Sequence, residues 1–285
     1  MFPRTIAENA SANSNSTVQL WKLDGHTIPL HFHPGFVVLS FLISYIGACT
    51  TLELMHRRTS RRGFYNWRVG NSGLVFGEML MKNRSLLTGA ALSFGGIAVW
   101  SMHFIGNRAI ILGNGELQLQ IVYSPGFTAL SFLIPVTVLM IAFAAIGANA
   151  NEIVSITRVL LGGMLTGLGI CGMHYLGQAG ITNYDCVYGV INVIYAAVIA
   201  IVASVGALVL FFLFRKLWRS RWWKRAGAAA ILAVAVSGMH WLACLGTTYR
   251  LSMPDPNQSK TLSRDTTVAV VIVFVSFNPC SRRTG

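Results

Sequence analysis

The sequence predicts an all-α fold: a polytopic transmembrane helix bundle of three helix-pair repeats plus a short, truncated seventh helix. Composition, long apolar runs and a motif that occurs three times support this prediction. Of the 285 residues, 54% are hydrophobic and 11% are charged, whereas an average soluble domain has about 25% charged residues. The mean hydropathy is +0.58. These values disfavour an ordinary soluble enzyme and favour a polytopic membrane protein. Five cysteines without a CxxC pair exclude a disulfide scaffold or a zinc ribbon.

Six apolar runs are long enough for membrane helices, because a spanning helix needs about 20 mostly apolar residues. A seventh run, about 266–277, is too short, and we interpret it as a partial seventh helix before a short inner tail that extends to residue 285. We expect a disordered extracellular or luminal tail over 1–30, the membrane domain over 31–250 and an outer loop over 251–265. The six predicted spans are about 35–54, 86–105, 127–147, 159–177, 189–214 and 227–246.

The charge distribution predicts the orientation. The net charge is +13, from 22 basic and 9 acidic residues. If the N-terminus lies outside, sixteen basic residues fall on the inner segments, and six basic residues balance six acidic ones outside. Because positive charge accumulates on the inner side, we expect the N-terminus outside and read the excess as an orientation signal, with no nucleic acid as partner. The sequons at Asn9, Asn15 and Asn257 then lie outside, which predicts a glycoprotein.

Two internal repeats indicate the architecture. The segment PGFVVLSFLI at 34–43 recurs as PGFTALSFLI at 125–134, with eight of ten positions identical. The even-numbered spans share a second signature near their C-terminal ends, a small residue, Met, His and an aromatic residue. The glycine-rich stretch around Gly162, Gly163 and Gly167 predicts close helix packing. The three copies of the signature are Ser101-Met102-His103-Phe104, Gly172-Met173-His174-Tyr175 and Gly238-Met239-His240-Trp241.

The three histidines form a candidate metal site, because a histidine inside a bilayer is costly and indicates function. They lie at equal depth near the outer boundary and converge if the repeats surround a pseudo-axis. Imidazole and thioether ligands together favour copper, above all Cu(I). Because neighbouring helix residues point about 100° apart, we expect the histidines to face the centre with the methionines lining the cavity, or ligands drawn selectively from different helices. The candidate ligands are His103, His174, His240, Met102, Met173 and Met239.

Structural explanations remain open at this point. Repeat duplication alone can copy a packed methionine beside a hydrogen-bonded histidine. Cys171 and Cys244 share helix faces with the motif histidines, either as small apolar fillers or as further ligands. His31 and His33 either join an outer site or form a solvated pair. The alternating pattern at 116–122 suggests a short outer strand.

The stretches HFHPGFVVLSFLISYIGACTTLEL, GAALSFGGIAVWSMHFIG and LLGGMLTGLGICGMHYLG, with the weaker VSGMHWLACLG, resemble the MHYT domain of integral membrane sensors over about residues 30–250. The resemblance implies helix-pair repeats, a copper site near the outer face, and sensing of oxygen, carbon monoxide or nitric oxide. Phe104 and Trp241 stand where the family has tyrosine, so that only Tyr175 keeps the phenol. Ile105, Leu176 and Leu242 replace the family's threonine.

The leading hypothesis is a non-enzymatic membrane sensor that binds copper, detects a diatomic gas or a redox state, and signals to a separate, unknown cytosolic output protein. No catalytic motif is present, so we expect no enzyme activity and no catalytic residues; membrane lipid is the other partner. The alternatives are a b-type haem electron carrier, which would use paired histidines as axial ligands, and a metal transporter.

Overall fold

The computed structural model describes residues 22–65, 84–146, 155–213, 222–252 and 261–276. The first 21 residues of the expected tail and the sequons at Asn9, Asn15 and Asn257 lie outside these ranges. Within them, six helices are long and apolar enough to cross a membrane. The predicted all-α bundle is confirmed.

The helices agree with the predicted spans and differ mainly at their ends. The first extends well past the predicted end at residue 54, where Glu53 accepts a hydrogen bond from Arg57 one turn later at 2.9 Å. The short seventh helix is also present. The helices are α1 (Pro34–Tyr65), α2 (Arg84–Arg108), α3 (Pro125–Ile146), α4 (Ile156–Ala179), α5 (Val190–Leu213), α6 (Trp222–Leu245) and α7 (Arg264–Ser276).

The six long helices form a closed ring with an inner trio. Each helix packs on the next along the chain, and α6 closes the ring on α1. The even helices α2, α4 and α6 also contact one another inside the ring. In the most apolar stretch of α2, α4 and α6, 67%, 44% and 44% is buried inside the protein. The corresponding shares for α1, α3 and α5 are 39%, 39% and 17%. The arrangement therefore has three inner and three outer helices, as three helix-pair repeats around a pseudo-threefold axis require.

Glycines bring the helices into close contact, as the sequence predicted. A Cβ atom added at Gly167 of α4 would lie 2.5 Å from the Cα atom of Ile201 in α5. At Gly163 the corresponding distance to the Cα atom of Val205 is 2.6 Å. Because the obstructing atoms belong to the backbone, any larger residue at these positions must push the two helices apart.

An irregular helical segment leads directly into the first motif. Residues Leu92–Ser101 of α2 form a π-helix, and the Ser101 hydroxyl donates to the carbonyl oxygen of Gly96 at 2.8 Å. Long π-helices are rare, and most occur as single turns near functional sites. The sequence pattern did not predict this segment. The equivalent stretches of α4 and α6 are α-helical.

Short antiparallel strand pairs cap the bundle at the ends of α2, α4 and α6. In the first and third repeats, a strand before the outer helix pairs with a strand after the inner helix. In the second repeat, the strand at Val122–Tyr123 makes the equivalent bridge from Tyr123 to Ile181 and also pairs with the strand at Leu262–Ser263. The strands are β1 (Leu30–Phe32), β2 (Ile110–Leu112), β3 (Val122–Tyr123), β4 (Tyr184–Tyr188), β5 (Thr247–Leu251) and β6 (Leu262–Ser263).

Two local expectations differ from the structure. Residues 116–122 do not form one strand: Leu117–Leu119 is a 3₁₀ turn, since the Gln120 side chain donates back to the Glu116 carbonyl at 2.8 Å. Residues 22–30, expected within the flexible tail, are ordered on the cap. The amides of Gly25 and Ile28 donate to the carbonyls of Leu251 and Tyr249 at 2.8 and 3.0 Å, and the Ile28 side chain is buried.

We expect Gly167→Ala to lower stability by roughly 1–3 kcal/mol, the usual cost of overpacking, since the new methyl group meets the backbone of α5. Gly172→Ala is the matched control on the same helix, because a Cβ atom there meets nothing within 4 Å. It should be neutral or stabilising by up to about 1 kcal/mol, because alanine is the better helix former. Thermal unfolding of the purified protein in detergent measures both. Equal melting temperatures for the two variants would contradict the packing.

Candidate metal centre

His103, His174 and His240 meet on the pseudo-axis near the capped end of the bundle. Their Nδ1 atoms form a nearly equilateral triangle, with separations of 3.2, 3.3 and 3.2 Å. All three side chains have 0% exposure. The rings stand at 80–87° to one another with centroids 5.0–5.1 Å apart, so each ring points one edge at the axis.

Hydrogen bonds among three neutral imidazoles cannot satisfy this triangle. A neutral ring nitrogen carries either a proton or a lone pair. Among three nitrogens in mutual contact, at least one pair must therefore place proton against proton or lone pair against lone pair. A cation removes the conflict, because it accepts all three lone pairs at once. From the 3.2 Å sides, the triangle's centre is about 1.9 Å from each nitrogen, close to the usual metal–imidazole distance of about 2.0–2.1 Å.

In the first two repeats, the residue three positions after the histidine is a glycine that lies against the histidine ring of the preceding repeat around the axis. A Cβ atom at Gly106 would lie 2.4 Å from Nε2 of His240, and one at Gly177 would lie 2.5 Å from Nε2 of His103. The two glycines thus leave room for the imidazoles of neighbouring helices. The motif is therefore longer than the Met-His signature, a feature that aligning MHFIG with MHYLG could have revealed.

The residue four positions after each histidine is polar or a thiol: Asn107, Gln178 and Cys244. The Asn107 amide lies 3.2 Å from Nε2 of His103, and the Cys244 sulfur lies 3.6 Å from Nε2 of His240. Gln178 joins these two side chains, with its amide 3.4 Å from Asn107 and 3.8 Å from Cys244. These residues form an outer shell that can hold the Nε2 protons and leave the Nδ1 lone pairs free.

In the second repeat this shell is incomplete. Nε2 of His174 and Oε1 of Gln178 are both buried without a hydrogen-bond partner in the described part of the chain. When Nε2 of His103 carries the proton, the Asn107 amide presents its oxygen, since the two ends of an amide are assigned from such networks. The Asn107 amide nitrogen then faces Gln178, and the Gln178 side-chain oxygen can turn to accept its hydrogen bond.

The aromatic residue after each histidine connects the site to the cap. Each histidine ring packs edge-on against it, with centroid distances of 4.9, 5.0 and 4.9 Å. Each aromatic ring then contacts an aromatic residue of the strand before the next outer helix. These second contacts are Phe104–Tyr123, Tyr175–Tyr188 and Trp241–Phe32, with centroids 5.1, 5.1 and 5.4 Å apart.

The motif methionines, the two cysteines and the two histidines before α1 are the other predicted site residues, and none of them belongs to the Nδ1 triangle. Met102, Met173 and Met239 are each 1% exposed and precede the histidines, so their side chains leave the helix about 100° away. Cys171 is buried. The Cys244 sulfur lies beside the Nε2 edge of His240 rather than in the Nδ1 triangle. His31 and His33 are exposed, and His33 packs on Phe36; they lie outside the buried triangle.

The cap over the centre is electrically neutral at its most buried positions. Burial raises the pKa of the Tyr123 and Tyr249 hydroxyls, and it raises the pKa of the Cys186 thiol to about 12. These groups therefore keep their protons near neutral pH. The nearby charged pair, Arg108 and Asp265 at 3.3 Å, links α2 to α7 and has an exposed carboxylate.

Comparison with known proteins identifies the repeats. Residues 96–157 and 167–223 match the MHYT family, described as a bacterial signalling protein N-terminal repeat. The first match contains His103 and the second contains His174. Two segments of the chain therefore match the MHYT repeat. His240 lies beyond the two matched segments but occupies the same position in the third inner helix.

Similar proteins are bacterial signalling proteins in which the MHYT-like region is a minor part. The chain is 24% identical to signaling protein YkoW of Bacillus subtilis over 233 residues, or 80% of this chain and 26% of that protein. It is 29% identical to the bifunctional diguanylate cyclase/cyclic di-GMP phosphodiesterase MucR of Pseudomonas aeruginosa over 218 residues, or 74% and 27%. The chain thus spans about a quarter of the length of these relatives. No solved structure matches.

We expect Tyr175→Phe to be neutral or slightly stabilising. The Tyr175 hydroxyl is buried without a partner in the described part of the chain, and an unsatisfied buried polar group costs about 1–3 kcal/mol. Tyr184→Phe is the contrasting variant, since the Tyr184 hydroxyl donates to the Leu119 carbonyl at 2.5 Å; its loss should cost about 1 kcal/mol. Thermal unfolding distinguishes them, and a larger loss for Tyr175→Phe would show that the phenol itself is needed.

Proposed function

We propose that this MHYT domain is a membrane sensor that binds one Cu(I) ion through His103, His174 and His240 and detects a small neutral gas at that ion. The observation that carries the proposal is the buried triangle of Nδ1 atoms, 3.2–3.3 Å apart. The three histidines form a buried group with the arrangement of metal ligands.

The charge of the ion favours Cu(I) over divalent ions. The ligand group contains no carboxylate, and its three histidines are fully buried. The solvation cost of burying an ion rises with the square of its charge, so a monovalent ion costs about a quarter as much as a divalent one. Zinc and Cu(II) both suit imidazole ligands, but neither has a compensating anion among these ligands. Three neutral imidazoles and Cu(I) leave a single positive charge.

The same arrangement suits a gas ligand. Three protein ligands leave a coordination position open, as they do in catalytic zinc sites. Because the centre is fully buried in an apolar bundle, a ligand must cross apolar protein or lipid to reach it. A diatomic gas such as oxygen, carbon monoxide or nitric oxide can do so, whereas a charged ligand pays a large desolvation cost. Ligand binding shifts the protein between states only if the two states bind it with different affinities.

The alternatives are less compatible with the site. A haem ligated by two of these histidines must place its macrocycle between two imidazoles, and Nδ1 atoms 3.2–3.3 Å apart leave no space for it. A metal transporter needs polar groups along its path, yet the region on the axis below the histidines is lined mainly by apolar residues.

The orientation and the output are further parts of the proposal. The positive-inside distribution supports a topology with the N-terminus and the histidine end outside, in which the sequons at Asn9, Asn15 and Asn257 would be available for glycosylation. The relatives' names describe cyclic di-GMP enzymes and signalling proteins. We therefore propose that a cytosolic output protein or region receives the signal at the opposite, basic end, and that the domain itself catalyses no reaction.

We expect the purified protein to bind one Cu(I) per chain and the combined variant His103→Ala, His174→Ala, His240→Ala to bind none. The matched control is His31→Ala with His33→Ala, which removes two exposed histidines and should retain full copper binding. Elemental analysis after removal of excess metal measures the stoichiometry. Stoichiometric copper in the triple variant would reject the site, and preferential retention of zinc would reject the choice of Cu(I).

The outer shell is tested by Asn107→Ala. Loss of a group that orients a metal-binding histidine usually lowers metal affinity about 10–100-fold, and we expect a decrease in that range. Asn114→Ala, in an exposed turn, should leave the affinity unchanged. Competition with a coloured Cu(I) chelator measures both variants. An unchanged affinity for Asn107→Ala would mean that the Nε2 contact does not position His103.

A further inference from the structure

A second feature lies on the same axis, away from the histidines. A cavity of about 30 Å³ is lined by residues of all six long helices. Leu52 of α1 and Phe143 of α3, both in its wall, stand eighteen residues after the equivalent prolines Pro34 and Pro125. Because equivalent residues of two repeats face it, the cavity lies on the pseudo-threefold axis.

The inner helices give its distance from the metal centre. Thr166 of α4 and Leu232 of α6 line the cavity, and each precedes the motif histidine of its helix by eight residues. At a rise of 1.5 Å per residue, this is about 12 Å along the helix. The cavity is therefore distinct from the centre formed by His103, His174 and His240, toward the basic end of the bundle.

The side chains that line the cavity are mainly apolar. Most of the lining is leucine, phenylalanine, methionine and alanine, with the hydroxyls of Thr51, Thr166 and Ser204. The Thr51 hydroxyl already donates to the Gly47 carbonyl at 2.8 Å. The Thr166 side chain is 2% exposed, and its hydroxyl has no hydrogen-bond partner in the described part of the chain.

Water and ions suit these walls poorly. A buried water typically makes about three hydrogen bonds, and a charged ligand would need a counter-charge, which the lining does not supply. A cavity needs about 10–15 Å³ to hold one water molecule. A volume of about 30 Å³ therefore suits a molecule of about two water-sized atoms.

We propose that this axial cavity is a second binding site, for a small, neutral, largely apolar molecule of diatomic size, with the Thr166 hydroxyl as a weak polar contact. In the sensor it would hold the gas inside the bundle, about 12 Å from the metal centre. That role rests on the proposed function. Binding in the cavity itself does not, because it requires no copper.

Xenon is a suitable probe, since it binds dry apolar cavities. We expect anomalous scattering from crystals of the copper-free full chain under xenon pressure to show xenon between Thr166, Phe143 and Leu232. Ala207→Leu, which fills the cavity from α5, should abolish the peak. Ala203→Leu adds the same atoms one turn away, outside the lining, and should preserve it.

Two further variants keep the test independent of misfolding. Leu232→Ala enlarges the cavity and should increase xenon occupancy, while Thr166→Val keeps its shape and should leave the peak in place. Absence of xenon from the wild-type cavity, a peak that persists in Ala207→Leu, or ordered water held by Thr166 would each overturn the proposal.

A copper titration of the same proteins separates the two proposals. Copper binding with no xenon in the cavity rejects the second site alone. Xenon in the cavity with no copper bound rejects the metal centre alone.

Discussion

The convergence of three imidazole nitrogens at one buried point is the constraint on which the rest of this structure depends. Bringing three side chains from three helices within 3.3 Å requires the inner helices to meet at one end. It also requires glycine at positions 106 and 177, because a methyl group there would overlap the neighbouring imidazole. The outer helices α1, α3 and α5 surround this inner trio and expose many large apolar side chains.

The three repeats share the ring packing around the histidines, but they differ in the hydrogen-bonding residues behind them. The sequence of histidine ring, following aromatic ring and strand aromatic ring is kept in all three repeats, with phenylalanine, tyrosine or tryptophan filling the middle place. The residue four positions after the histidine changes from Asn107 to Gln178 to Cys244. Asn107 and Cys244 contact their own histidines, while Gln178 joins those two residues, and Nε2 of His174 has no hydrogen-bond partner among the described residues. The proposed metal ion would use the three Nδ1 lone pairs, which all three histidines can supply, whatever residue lies behind each ring.

The sequence was sufficient to predict the six spans and the common depth of the three histidines. Hydropathy located the six spans, because each must be apolar over its whole length, and the recurring Met-His pairs located the histidines at one depth. The contributions of Gly106 and Gly177 were missed because each glycine makes room for a ring from another helix; only the alignment of MHFIG with MHYLG points to that position. The π-helix at Leu92–Ser101 and the strand pairs of the cap were missed for a related reason. Both depend on contacts between repeats rather than on local propensity, and strands of two to five residues carry little periodic signal.

The inner helices connect the basic end of the bundle to the end that contains the histidine triangle. At the basic end, Glu53 pairs with Arg57 of its own helix at 2.9 Å and with Arg225 at 3.3 Å, and the second pair connects α1 to α6. The histidine triangle lies toward the other end of the same inner helices. In α4 the backbone contacts at Gly163 and Gly167 leave no space between it and α5, so a displacement of His174 along the helix cannot be absorbed by loose side chains. Tightly packed interiors transmit such displacements, and a small shift at the triangle must therefore move helix pairs rather than single residues.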